Sequence, residues 1–357
     1  MIPKIVTIAE ATEEYPRHSE ASILERTDGS LLIAWQEYTR SERGSEDNAP
    51  NRIMSMTSHD GGETWGERRT LLEPEPGDVN VYSPNFLRLP DGEVLLFNLR
   101  YLVLERGKPP SLTALVRRSR DEGLTFSEPE PVWTQMPFGF ASSVVKRLST
   151  GRIVLPVARQ TGAVWTPTDH EVLGVMHSDD GGKSWQESRT WVDLPLRGAM
   201  EPHVEELRDG RILMVMRTQL GAVFHAHSED GGETWSKPQT TGLKSPESCP
   251  DLLRIPKTGD LMIVWNDSPY DPAFASHYGK RSPLTVAISQ DEGATWTRPR
   301  NVEDDPRRAY SNPGCLFTSR GKILLHYWTL VYTDKWRMNS GRIDLRAAIF
   351  DVDCLYS

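Results

Sequence analysis

An all-β fold, a six-bladed β-propeller, is what this sequence predicts, on two interleaved repeats. The first is a short pattern present five times: Ser58-His-Asp60-Gly-Gly62-Glu-Thr64-Trp65, Ser119-Arg-Asp121-Glu-Gly123-Leu-Thr125-Phe126, Ser178-Asp-Asp180-Gly-Gly182-Lys-Ser184-Trp185, Ser228-Glu-Asp230-Gly-Gly232-Glu-Thr234-Trp235 and Ser289-Gln-Asp291-Glu-Gly293-Ala-Thr295-Trp296. The copies start 50 to 61 residues apart, the period of a repeat fold whose units cannot bury an apolar face alone. Each copy is chemically a turn. Asp accepts hydrogen bonds from amides further on, Gly supplies a positive φ, and the Ser or Thr hydroxyl closes the loop. The aromatic residue then wedges between neighbouring units.

The second repeat is a hairpin. Apolar runs flank a tight turn in Ala21–Trp35, around Asp28-Gly29, and in Asn85–Phe97, around Asp91-Gly92. Equivalent turns follow at Thr150-Gly151, Asp209-Gly210, Thr258-Gly259 and Arg320-Gly321, all by ordinary hairpin signals. Six hairpins against five boxes give six blades, the last, near residues 309–357, lacking a box. The N-terminal stretch Lys4-Ile-Val-Thr-Ile is expected to complete the sheet of that blade and close the ring.

Composition fits one propeller domain spanning residues 1–357. The 26 Pro and 27 Gly residues are spread among turns, and no linker stands out. A net charge of −9, with no strongly basic stretch, argues against nucleic acid or an anionic membrane as partner. Met1-Ile-Pro-Lys-Ile-Val-Thr-Ile lacks the features of a secretory signal, and no apolar run is long enough to span a bilayer. The three cysteines, Cys249, Cys315 and Cys354, lack metal-ligand spacing and read as thiols of a reducing compartment, so a cytoplasmic location is expected. No metal or other cofactor is expected. Oligomeric state is left open.

Blade geometry sorts residues by end. With boxes and hairpin turns on one face, first-strand starts, second-strand ends and third-strand starts reach the other. The first-strand starts carry Arg17-His18-Ser-Glu20, Tyr82-Ser-Pro-Asn85, Phe140-Ala-Ser-Ser143, Glu201-Pro-His203, Glu247-Ser-Cys-Pro-Asp251 and Tyr310-Ser-Asn312. Glu37, Arg100, Arg159, Arg217 and Asp267 stand at second-strand ends, and Arg281 opens the third strand of blade five. Arginines, carboxylates, histidines and tyrosines are thus directed to one mouth of an acidic chain, which suits an anionic, hydroxyl-rich ligand.

Ser-x-Asp-x-Gly-x-Thr-Trp resembles the Asp-box, or BNR repeat, of the sialidase superfamily, whose boxes lie on propeller hairpins remote from the active site. Three mouth segments resemble sialidase motifs: Met200-Glu201 through Arg217, in which a Glu precedes a hairpin ending in Arg; Lys280-Arg281-Ser, where an Arg opens the strand leading to a box; and Ala309-Tyr310-Ser311, the site of the nucleophilic tyrosine. The resemblance implies that Tyr310 is the nucleophile, Glu201 its general base, and Arg217 and Arg281 two of three arginines holding the substrate carboxylate. A neutral tyrosine avoids the repulsion that a carboxylate nucleophile would meet next to that carboxylate, and it needs a base because its ordinary pKa is about 10. Arginine suits the clamp through its planar, permanently charged fork.

The front of the chain departs from the family pattern. Where sialidases carry Arg-Ile-Pro, this sequence reads Pro16-Arg17-His18-Ser19-Glu20-Ala21, leaving Arg17 as the third clamp residue. Asp47, in the loop Tyr38–Pro50, matches the acid/base Asp in position, with Glu37, Glu20 and His18 as rivals. Arg100 and Arg159 repeat the position of Arg217, and His18 and His203 are further candidates for contact with the ligand. The expected activity is a sialidase-like exo-glycosidase that releases a terminal carboxylate-bearing sugar, most simply sialic acid, with retention through a tyrosyl intermediate. The alternatives are a glycosidase or lyase for another acidic sugar such as a uronic acid, and a non-catalytic glycan-binding propeller.

Overall fold

The computed structural model describes residues 2–44, 46–274, 277–332 and 341–357. Its six antiparallel sheets follow one another along the chain as six blades. Blade one comprises Arg17–Glu25, Leu31–Tyr38, Asn51–Ser58 and Gly66–Leu72. Blade four, which carries much of the site, comprises Met200–Glu206, Ile212–Arg217, Ala222–Ser228 and Gln239–Lys244. Blade six takes Arg308–Phe317, Lys322–Val331 and Asp344–Asp351 from the C-terminal part, and Lys4–Ala9 as its outer strand. Lys4 pairs with Ile349 and Thr7 with Arg346, so the two ends of the chain close the ring through a shared sheet, as the sequence predicts. Among the described residues no helix is long and apolar enough to cross a membrane.

Each box folds as its chemistry requires. In the first, Ser58 Oγ donates to Asp60 Oδ1 at 2.9 Å and accepts from the Gly62 amide at 2.8 Å, while Asp60 receives the Thr64 amide and hydroxyl. The other four boxes repeat the Ser–Asp and Gly–Ser contacts at 2.8–2.9 Å. These bonds hold the turn so that its aromatic residue reaches the neighbouring leaf: Trp185 of blade three meets Phe97 of blade two edge-on, with ring centroids 5.7 Å apart. The glycine five residues after the box serine's predecessor does the same work at closer range. At Gly232, with φ +93°, an added Cβ would stand 2.6 Å from Val175 Cγ2 on the preceding blade. Gly232→Ala is therefore expected to lower unfolding free energy by about 1–3 kcal/mol, from left-handed strain and overpacking together. Urea denaturation measures it, and an unchanged midpoint would contradict this account of box docking.

Candidate active site

The start of the innermost strand is where the fold builds its site. In blades one, two, four and six that strand carries one more residue than its partner: the register breaks between Ser19 and Ala21, Tyr82 and Asn85, Met200 and His203, and Ser311 and Gly314. These are β-bulges, which re-aim a side chain. The residues within them take positive φ, Glu20 at 42°, Ser83 at 52°, Glu201 at 45° and Asn312 at 49°. Such backbone costs about 1–3 kcal/mol per non-glycine residue, and here it recurs four times. All four side chains open into a single cavity of about 390 Å³ at the mouth opposite the boxes. Blades one and four face each other across a six-membered ring, so Glu20 and Glu201 approach from opposite sides.

The cavity has two kinds of wall. Leu104, Leu112, Phe140, Val164 and Trp165, with the rings of Tyr82 and Tyr101, make an apolar side contributed by blades two and three. Glu20, Asp47, Asp169, Glu171 and Glu201 bring five carboxylates against Arg197 and Arg217. Arg217 is the hub. Its Nη1 donates to Glu201 at 3.0 Å and its Nη2 to Glu247 at 2.6 Å, and Glu247 is further held by Gln219 Nε2 at 2.9 Å and by Arg197. Arg281 lies behind, giving Nη1 to Ser311 Oγ at 2.8 Å and Nη2 to the Glu247 carbonyl at 2.9 Å.

These contacts separate the proton affinities of the carboxylates. Burial alone would raise Glu247, but Arg217 and Arg197 outweigh it and bring the group down to about 2. Glu201 is likewise lowered against the pull of burial, by Arg217 and Arg281. Burial raises Glu171 to about 7, with Asp169 and Glu201 adding to it and Arg197 and Arg217 opposing. Glu20 is raised by burial, against Arg17. Burial and Arg217 push the Arg281 guanidinium down to about 10, the mark of two cations crowded in one dry corner.

Of the candidates drawn from sequence, Glu201, Asp47, Glu20 and Arg217 line the cavity. Arg17 stands at its edge, bonding Asp47 Oδ1 at 2.7 Å and Ser19 Oγ at 2.9 Å, with both Glu20 oxygens at 3.4 Å. Its guanidinium lies 4.4 Å over the Tyr38 ring. Arg281 is one layer behind.

The remaining positions are elsewhere. Tyr310 is fully buried in the core between blades five and six, its ring 5.9 Å from that of Tyr327, and its hydroxyl is raised by burial and by Glu303 on the outer strand of blade five. Alternation is the reason. Ser311 faces Arg281, so Tyr310 faces the other side of the sheet. Arg100 is bound by Asp78 at 2.8 and 2.9 Å. Arg159 pairs with Glu187 and stacks 3.9 Å over Trp191. Glu37 is a buried anchor for Arg52, at 2.8 Å, and for Arg68. His18 accepts from Trp35 Nε1 at 3.1 Å, and burial with Arg68 nearby drops it to about 3. His203 lies between blades four and five, 2.8 Å from Asp251.

Five cavity residues, Asp169, Glu171, Arg197, Trp165 and His277, are absent from the sequence reading. Glu171 opens the third strand of blade three, the same place in its blade that singled out Arg281. The others stand on loops and carry no positional signal.

Comparison with known proteins agrees with this architecture. The chain is 25% identical over 318 residues to a sialidase of Micromonospora viridifaciens, covering 80% of this chain and 46% of that protein. It is 27% identical over 327 residues to an anhydrosialidase of Macrobdella decora, covering 85% and 40%. It thus spans less than half the length of either. Among solved structures, the intramolecular trans-sialidase of Ruminococcus gnavus superposes with a TM-score of 0.73 at 17% identity, over 99% of this chain and 98% of that one. A Dyadobacter fermentans protein of unknown function gives 0.71 at 18%, over 98% and 100%. At such identities these two likenesses speak for the fold alone. The family model described as a BNR repeat-like domain matches residues 29–325, and with five boxes on the hairpins of a six-bladed ring, the chain belongs to the BNR-repeat family of sialidase-type propellers.

Proposed function

We propose that this protein is an exo-acting glycoside hydrolase of sialidase type that removes a terminal acidic sugar. The observation that carries the reading is Glu201: strained backbone points it into a cavity at the small end of ligand-site volumes, and Arg217 and Arg281 keep it ionised there. An ionised carboxylate on the wall of a cavity is a competent base toward an attacking hydroxyl. Arg217 and Arg197, the two guanidiniums on the cavity wall, are the place for the carboxylate of the sugar. Asp47, held by Arg17 with Tyr82 Oη 3.5 Å away, stands at the rim, within reach of the sugar's hydroxyls or the aglycone. The sialidase relatives support the substrate class.

The attacking oxygen in this proposal is water activated by Glu201, because Tyr310 turns its hydroxyl away from the cavity. Release of nitrophenol from an aryl α-sialoside, with an aryl uronide alongside, tests both parts. Wild type is expected to turn over the sialoside, and Tyr310→Phe to keep kcat within about threefold of it, well short of the 10²–10⁴-fold that a group acting in the transition state contributes. Loss of turnover in a folded Tyr310→Phe protein would restore the tyrosyl mechanism. Turnover of the uronide alone would change the sugar and keep the scaffold, and silence on both would leave a glycan-binding propeller.

A further inference from the structure

Five carboxylates line the cavity, and four have a guanidinium or amide donor within hydrogen-bond distance. Glu201 takes Arg217, Glu20 and Asp47 share Arg17, and Asp169 accepts Gln160 Nε2 at 2.7 Å and the Trp165 amide at 3.0 Å. Donors of this kind favour the ionised form, although at Glu20, where both contacts are 3.4 Å, burial still outweighs Arg17. Glu171 is the exception. Among the described residues its nearest ionic partner is Arg197 Nη2, at 4.0 Å and beyond hydrogen-bond distance, and that guanidinium is committed to Asp169 at 3.1 Å and to Glu247.

Its backbone, by contrast, is fixed. The Glu171 amide donates to the Arg197 carbonyl at 2.9 Å, and the Ala199 amide donates to the Glu171 carbonyl at 3.0 Å. Gly198 lies between, at φ +78°, and a Cβ there would stand 2.0 Å from the Glu171 carbonyl oxygen. Only glycine permits this approach. Two residues after Ala199 comes Glu201, so the segment that clamps Glu171 also delivers the base. A free carboxyl on a rigid mount, facing the same cavity as an ionised one, is the arrangement of an acid–base pair.

We infer that Glu171 is the catalytic proton donor to the departing glycosidic oxygen, working with Glu201 of the neighbouring blade. The inference rests on the glycosidase reading above. In the step, the carboxyl proton of Glu171 passes to the glycosidic oxygen as the bond to the anomeric carbon breaks, and the aglycone leaves as an alcohol. Water forms the new bond at that carbon and gives its proton to Glu201. Solvent exchange then returns both groups to their starting states. The groups facing Glu171 are Arg197, Asp169, Glu201, Arg217, Tyr101 and the adjacent His170, and their sum favours the proton: burial, Asp169 and Glu201 hold it to about pH 7 against the two arginines.

Leaving-group dependence separates a proton donor from a structural residue. The full chain, Glu171→Gln and Asp47→Asn are compared on the methyl and 4-nitrophenyl α-glycosides of sialic acid and of glucuronic acid, across pH 4–9, with melting temperature as the check on folding. Glu171→Gln should lose 10²–10⁴-fold in kcat on the methyl glycoside, which needs a proton, and less than about tenfold on the nitrophenyl glycoside, which does not. The fall in wild-type activity above about pH 7 should disappear in it. Equal loss on both substrates with an unchanged pH profile would overturn the assignment and leave the glycosidase reading standing, as would finding the leaving-group split in Asp47→Asn instead. Wild-type silence on all four glycosides would overturn both.

Discussion

Glu201→Gln is expected to lower kcat by 10²–10⁴-fold, the usual contribution of a general base, with KM little changed and the fold intact. Gln keeps the shape and an oxygen for Arg217, and Arg217 retains Glu247 at 2.6 Å, so no buried cation is orphaned. What disappears is the capacity to take a proton. The pH profile gives an independent reading. Glu201 acts as the anion, and Arg217 with Arg281 place its carboxyl below the ordinary value despite burial, so wild-type activity should hold on the acid side until pH falls beneath the usual carboxylate range. Glu171 acts as the acid, so activity should fall as pH rises past about 7. Between these limits both groups are in their working states. The acid limb should vanish with Glu201→Gln, leaving a residual rate that no longer declines toward low pH. A variant that kept more than a tenth of wild-type kcat would remove Glu201 from the mechanism.

The architecture was legible because its signals are local. A box is eight residues whose hydrogen bonds stay within the turn, and a hairpin announces itself by two apolar runs and a glycine. The site is only partly local. Glu201 could be found because it precedes a recognisable hairpin, but nothing in the sequence marks the extra residue that twists it, Glu20, Ser83 and Asn312 inward. The displacement of Tyr310 is likewise a matter of register: Tyr310-Ser311 resembles a family motif, yet the side of the sheet each residue faces is set by register, which the motif does not encode. Arg100, Arg159 and Glu37 do stand at second-strand ends. Those ends lie one strand, about 4.8 Å, farther from the axis than the first strands, and carboxylates nearby, or for Glu37 the arginines Arg52 and Arg68, take up their charge. Arg217 reaches inward because Glu201 and Glu247 draw it there. Glu171 and Arg197 depend on Gly198 letting two segments touch, a tertiary contact that composition and periodicity do not reveal.

Arg217→Met should cost stability as well as activity. It removes the group that compensates Glu247, which is 3% exposed, and the principal partner of Glu201. Breaking a buried ion pair from one side costs about 3–5 kcal/mol, because the remaining charge stays in a poorly solvating site. Arg197 and Gln219 still hold Glu247, so the loss should fall toward the lower figure. The sign of the pH dependence distinguishes this cause from lost packing. In wild type Glu247 has a folded value of about 2, below the ordinary carboxylate value. Its contribution to stability is present above the unfolded value and is lost as pH falls toward 2. Without Arg217, burial raises Glu247 and Glu201, and a raised carboxyl stabilises the fold as it takes up its proton. The gap between variant and wild type should therefore narrow as pH is lowered from 7 to 5. Adding Glu247→Gln to Arg217→Met should recover part of the loss, since it removes the orphaned charge, although Glu247→Gln alone destabilises. Urea denaturation of the four proteins at both pH values gives the coupling directly. A gap that is independent of pH, or two losses that simply add, would mean that Arg217 matters for its bulk and not for its charge.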